Sequence, residues 1–243
     1  MGFFKNTAAR VRGFFACFTK WERALLIGSL LLVTLAFLIF DRSEYMRLAA
    51  SLIGAVALIL CAKGFALGQV FMIAFCVLYV IISYTFSYYG EMITYLFMSL
   101  PMSALSLISW LRNPSGAGHG EVKVNRIRRR ELLFLAALAL AVAVAFYFIL
   151  KYFKTANLLV STFSILTSFV AAYLTVRRSP FYALAYTVND CVLILLWILA
   201  CTEDISYASV VVCFVVFIAN DLYGFFYWLS MQRAQEGTGA RIE

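Results

Sequence analysis

Charge is scarce in this 243-residue chain: Asp, Glu, Lys and Arg together make up 13% of it, against roughly a quarter in a soluble domain. Hydrophobic residues make up 64%, and the mean hydropathy is +0.92. A soluble globule of this size cannot hide so much apolar surface, so the chain lies in a lipid bilayer. That excludes a cytosolic enzyme, a secreted disulfide scaffold and a nucleic-acid module, even though the net charge is +8. Histidine is nearly absent. The single His119 sits in a Gly-rich polar loop, and one imidazole cannot assemble a metal site. None of the six cysteines forms a Cys-x-x-Cys, so they read as small hydrophobes. No Walker motif occurs, which removes direct drive by ATP. Neither a metal nor a cofactor is expected.

What the chain has instead is apolar runs of membrane-crossing length, roughly 17–25 residues. Eight are read, at about 24–40, 45–62, 65–84, 91–111, 131–150, 157–176, 180–200 and 205–229. The first 23 residues mix Phe3, Phe4, Phe14 and Phe15 with Lys5, Arg10, Arg12, Lys20 and Arg23. No small-residue cleavage site follows them, and an interfacial amphipathic segment is the expectation. Sixteen of the 20 Lys and Arg residues fall on one side of the eight-span layout and four on the other. The positive-inside rule then puts both termini and the loop Arg112–Arg130 in the cytoplasm.

Spans two to four and six to eight read as two copies of one unit. Phe65-Ala66-Leu67 recurs as Phe181-Tyr182-Ala183-Leu184 with one residue inserted. Tyr79 pairs with Trp197, and Trp110-Leu111 with Trp228-Leu229. Span five lies between the copies, so both enter the membrane in the same direction, as parallel repeats. The expected architecture is an all-α integral membrane protein with eight helices arranged 1+3+1+3. Its parts are a basic segment and extra helix (1–44), a first three-helix bundle (45–112), a loop and linker helix (113–156), a second bundle (157–232) and a cytoplasmic tail (233–243). Two facing bundles suit a transporter with its site near the midplane, rocking to give alternating access.

Two acids lie inside spans, in Asn189-Asp190 and Asn220-Asp221. A central Asp costs roughly 2.5–3.5 kcal/mol on insertion scales, so such a residue normally faces a cavity or a partner. Asp190 is about 15 Å into its helix at 1.5 Å per residue, close to the midplane. Tyr186, Asn189, Asp190 and Trp197 share one helix face. On the last span Asn220, Gly224 and Trp228 share a face, with Asp221 beside it. Gln69 in span three completes the candidates. For each the alternative is a hydrogen bond between helices; solute contact is favoured for Asp190, and Gln69 is evenly divided. Pro101 should bend span four and free a carbonyl. Carboxylates and aromatic rings, with no Lys or Arg at depth, suit a neutral or cationic solute with a planar ring. A phosphate ester would require Arg, Lys or a helix N-terminus.

Several of these strings resemble the PnuC family of vitamin and nucleoside transporters, related in fold to the SWEET sugar transporters. They are Ile108-Ser109-Trp110-Leu111-Arg112-Asn113-Pro114 with Glu121-Val122-Lys123-Val124, Phe181-Tyr182-Ala183-Leu184, Asn189-Asp190 through Trp197, and Asn220-Asp221-Leu222-Tyr223-Gly224 ending at Trp228. The resemblance spans roughly residues 45–232. It implies facilitated uptake of nicotinamide riboside through a bacterial cell membrane, with relatives carrying thiamine, riboflavin or deoxynucleosides. There are departures. Many members carry Trp-x-x-Trp before the residue aligned with Asp190, whereas Tyr186 stands here in place of the second Trp. A Gln common in the helix aligned with span four is absent, with Leu96 near its place. The partners expected are a small-molecule solute and the bilayer, with no nucleic acid; the sequence leaves room for a homo-oligomer. The runner-up class is a membrane enzyme. An intramembrane aspartyl dyad could only be Asp190 with Asp221, and the Gly context of such proteases is absent.

Overall fold

Thr19 and Glu22 open the first long helix. The Glu22 N–H donates to the Thr19 hydroxyl (3.3 Å), and the Thr19 N–H donates to the Glu22 carboxylate (2.6 Å). This reciprocal pair satisfies two donors that a helix start leaves free. Helix α1 therefore runs Lys20–Phe40, beginning before the apolar run does. The computed structural model describes residues 18–85, 88–115 and 120–239. The proposed interfacial segment before Phe18 and the loop histidine His119 fall outside them. Seven further helices follow: α2 (Tyr45–Ala62), α3 (Leu67–Thr85), α4 (Tyr89–Leu111), α5 (Arg129–Tyr152), α6 (Leu158–Val176), α7 (Phe181–Ala200) and α8 (Ala208–Gly239). All eight helical segments are long and apolar enough to cross a membrane. Among the described residues the only β-pairing is two isolated bridges, Phe65 with Glu121 and Pro114 with Val122.

Helix α4 accommodates Pro101 by a local change of helix type. The proline has no N–H for the carbonyl one turn back, and its ring crowds that turn. The helix relieves this with a π turn over Tyr95–Ser99, in which the Leu100 N–H donates to the Tyr95 carbonyl. Helix α8 continues past Leu229, where the apolar run stops. Its polar extension is held by Gln232 donating to Glu236 (2.9 Å) and by Gln235, which docks on the loop described below.

Six helices close a ring in the order α2, α3, α4, α6, α7, α8 and back to α2. The first helix of each repeat thus touches the last helix of the other. Helix α1 packs on α2 and α8, and α5 packs on α6. A buried pair moors α1: Lys63 Nζ lies 3.0 Å from a Glu22 carboxylate oxygen that also accepts from the Tyr223 hydroxyl. Burial pulls the Lys63 ammonium down, but hydrogen bonds to Tyr227 and Glu22 outweigh it and hold its pKa above the ordinary value. Removing one partner of such a pair costs about 3–5 kcal/mol.

The helix ends fix the register of the repeat. After α2, Lys63 has φ −79° and ψ −1°, Gly64 has φ 71°, and the Phe65 N–H reaches the Leu60 carbonyl at 3.0 Å. After α6, Arg177 has the same φ and ψ, Arg178 has φ 55°, and the Ser179 N–H reaches the Leu174 carbonyl at 3.0 Å. Both are Schellman ends. Phe65 therefore corresponds to Ser179, not to Phe181, and Tyr79 to Leu193, not to Trp197. Four extra residues in the connection ahead of α8 restore the pairing of Trp110 with Trp228. Those two indoles make equivalent bonds: Trp110 Nε1–H donates to the Thr175 carbonyl (2.9 Å) and Trp228 Nε1–H to the Cys61 carbonyl (3.0 Å). Each ties the last helix of one repeat to the first helix of the other, and the rings meet at 5.3 Å between centroids.

This end of the molecule is basic. The loop after α4 lies across it, with the Val122 N–H donating to the Gly64 carbonyl (3.0 Å) and the Asn125 N–H to the Arg178 carbonyl (3.0 Å). Those carbonyls are equivalent in the two repeats, so one extended segment straps both. Gln235 grips the strap from α8, accepting from the Val124 N–H (2.9 Å) and donating to the Val122 carbonyl (3.1 Å). The opposite end, the acidic end, is so only by a small margin, with Asp41, Glu44, Glu91, Glu203 and Asp204 against Arg42, Arg47, Lys151 and Lys154.

Candidate functional site

The repeat register brings unlike residues to equivalent places. Asn189 and Asp190 of α7 correspond to Phe75 and Cys76 of α3, and Asp221 of α8 corresponds to Ser103 of α4. Between the repeats lies a cavity of about 450 Å³, and all six of these residues line it. It starts at the acidic end, among Tyr88, Lys154, Glu203 and Tyr207, and descends to Asp190 and Asp221. Below that depth the buried rings of Trp110, Tyr182 and Trp228 fill the space between the repeats, with Tyr182 edge-on to Trp228 at 5.0 Å. The cavity is open toward the acidic end and shut toward the basic one.

Its two walls differ chemically. On the first repeat, Phe75, Tyr79 and Tyr95 form a continuous aromatic surface, with centroids 4.6 Å apart for Phe75–Tyr79 and 4.9 Å for Tyr79–Tyr95. On the second, Tyr186, Asn189, Asp190 and Trp197 lie along one face of α7, as their helical spacing requires. The Thr167 hydroxyl donates to Asn189 Oδ1 (2.9 Å), which fixes the amide and leaves its NH₂ to donate elsewhere. Asp190 and Asp221 face each other across the α7–α8 contact, just as Cys76 and Ser103 face each other in the first repeat. Asp190 is 4% exposed, and one of its oxygens, Oδ2, has no hydrogen-bond partner. A buried acceptor left so is costly, by roughly 1–3 kcal/mol, and it marks where a ligand's donor would fit. Lys154, at the mouth, is the single cation among the described lining residues.

Two residues expected at the site lie elsewhere. Asn220 donates to the Ser29 hydroxyl (2.9 Å) and to the Val216 carbonyl (2.8 Å), tying α8 to α1. Neighbouring helix positions are rotated by about 100°, so Asn220 and Asp221 cannot share a face. Asp221 looks into the cavity with Phe214 and Phe217. Gln69 is buried two residues into α3, at the basic end, and donates to Cys61 Sγ (3.3 Å). It joins α2 to α3, below the floor of the cavity. Conversely, Phe75, Cys76, Tyr95, Ser103 and Glu91 line the cavity without having been expected there. The 114-residue register would have found Cys76, as the partner of Asp190. Glu91 reads in the sequence as an ordinary loop acid.

The sequence profile of the nicotinamide mononucleotide transporter family matches residues 44–230, more than three-quarters of the chain. The chain belongs to this family. A curated relative, the nicotinamide riboside transporter PnuC of Neisseria mucosa, is 22% identical over 230 residues, covering 93% of this chain and 87% of the relative. A crystal structure of the vitamin B3 transporter PnuC superposes with a TM-score of 0.79 at 22% identity, covering 94% of this chain and 98% of the other. The family match begins at the foot of α2 and ends just past Trp228, so it takes in both repeats and the whole cavity. Helix α1 lies outside it. The function is therefore membrane transport, and the cavity between the repeats is where its chemistry has to be sought.

Proposed function

We propose that this protein carries nicotinamide riboside across a bacterial cell membrane into the cytoplasm by alternating access. The observation that carries the reading is the cavity between the repeats, with an aromatic wall facing Asn189, Asp190 and Asp221 and no Lys or Arg at their depth. Its volume falls within the roughly 300–1,000 Å³ typical of small-molecule sites. The riboside presents a planar cationic ring and a polyhydroxyl sugar, which match the two walls in turn. The mononucleotide adds a phosphate, whose charge needs a cation or a helix N-terminus, and two carboxylates oppose it. The purified protein should therefore bind the riboside at least tenfold more tightly than the mononucleotide, about 1.4 kcal/mol. Calorimetric titration of both, with thiamine and a deoxynucleoside as competitors, tests this. Equal or tighter mononucleotide binding overturns the reading.

The basic end, with the strap and the two indoles, is taken to face the cytoplasm, in keeping with the positive-inside rule. The open cavity is then the outward-facing state. Transport consists of closing the acidic end over the solute and parting the repeats at the strap, and no ATP-binding motif is present to drive it. In a cysteine-free background, single cysteines at Ser115 and Glu203 should label from opposite sides of the membrane, Ser115 from the cytoplasm. Labelling of both from one side would reject this orientation.

A further inference from the structure

Glu91 is a carboxylate on the cavity wall that the transport reading leaves unused. It lies in the first turn of α4 and lines the outer half of the cavity with Tyr79 and Tyr95. Its carboxylate makes neither a hydrogen bond nor an ion pair with any described residue. Lys154 is the one cation on the described lining, and it stands exposed at the mouth without pairing to Glu91. A carboxylate withdrawn from bulk water without a protein partner is best satisfied by a cation that arrives from outside. The rings beside it favour the same charge, because an aromatic face attracts a cation within about 6 Å of its centroid. Tyr79 and Tyr95 are tilted 33° to each other, and Tyr95 is within electrostatic reach of both Glu91 and Asp190. Glu91, Tyr95 and Asp190 all line the same cavity. At the deep end, Asp190 Oδ2 is a buried acceptor without a partner on the cavity lining.

We infer that Glu91, Tyr79 and Tyr95 form a subsite for the cationic heteroaromatic ring of the solute. The solute enters with its sugar leading: Asn189 and Asp190 take the hydroxyls at depth, and the ring stays in the outer half. Glu91 is then a specificity-determining residue that separates cationic rings from neutral ones of the same shape. The assignment rests on the riboside reading above.

The probes are nicotinamide riboside and its dihydro form, which keeps the sugar and the carboxamide but carries no ring charge. Titrated into the full-length protein, the cationic riboside should bind at least tenfold more tightly than the dihydro form. Glu91→Gln should weaken the cationic riboside about tenfold and leave the dihydro form within twofold, so that the preference collapses. Glu91→Asp, which keeps the charge, should retain most of the preference. Tyr95→Leu reads the same ratio without touching the acid, and is the variant to use if Glu91→Gln does not fold; it too should reduce the preference. Normal riboside binding with an unchanged ratio in these variants, or an equal loss for both probes, overturns the subsite alone. Failure of the parent protein to bind either riboside overturns the function reading, and the subsite falls with it.

Discussion

Asp190→Asn should weaken riboside binding by roughly ten- to a hundredfold while leaving the protein expressed and folded. The carboxylate sits halfway along α7 on the wall of the cavity, 4% exposed, with Oδ2 unpartnered. A sugar hydroxyl donating to that oxygen forms a charge-assisted bond, worth about 1.5–3 kcal/mol. Asparagine keeps the volume and a carbonyl acceptor but removes the charge, so the loss is the charge-assisted part, one to two powers of ten. Folding should not suffer, because a neutral side chain inserts more readily within a membrane span. Tyr186→Ala should also weaken binding, since Tyr186 lies on the same wall. Cys191→Ala should not: Cys191 is exposed, off that face. Titration of the purified variants, beside their melting temperatures, checks this. Normal binding together with poor folding would make Asp190 a strut between α7 and α8 and remove it from the site.

How much of this was legible beforehand depends on the kind of signal. Apolar run length carries the eight helices, because a bilayer leaves the backbone no partner but itself. The ends were less legible. The Thr19–Glu22 capping box starts α1 within charged sequence, and the polar extension of α8 is stabilised by contacts with a loop 110 residues away. Helical spacing carries the α7 wall, since Tyr186, Asn189, Asp190 and Trp197 must lie together. It could not separate Asn220 from Asp221, because a one-residue step changes the face and only the position of α1 decides which face meets the cavity. For Gln69 the sequence leaves solute contact and interhelical bonding evenly divided, and its bond to Cys61 Sγ falls on the second side. The repeat was recognisable from Trp110 and Trp228. Its register was not, because the residues at its hairpins differ in chemistry and share only backbone geometry: Gly64 has φ 71° where Arg178 has φ 55°. Glu91 had no local signature at all. Its significance comes from Tyr79, on another helix, and from what the surrounding residues fail to provide.

Replacing Trp110 and Trp228 together by Phe should shift the protein toward the state open at the basic end. Phenylalanine keeps most of the ring and removes the N–H. Each indole bond joins the last helix of one repeat to the end of the first helix of the other, to the Thr175 or the Cys61 carbonyl. When the repeats part, water can satisfy those carbonyls, so the bonds favour the closed arrangement specifically. At about 1 kcal/mol each, losing both changes the equilibrium by about 2 kcal/mol, or roughly thirtyfold. The strap remains, with its bonds from Val122 and Asn125 to the equivalent carbonyls of Gly64 and Arg178, so closure is weakened rather than abolished. A single cysteine at Ser99, on the cavity wall, placed in a cysteine-free background, reports the change. In vesicles of known orientation, an impermeant thiol reagent should label it at least tenfold faster from the basic side in the double variant than in the parent, and more slowly from the acidic side. Each single variant should fall between the two, because the bonds are equivalent and lie on opposite sides of the same interface. Unchanged labelling from both sides would mean that ring packing alone, which phenylalanine preserves, keeps that end shut.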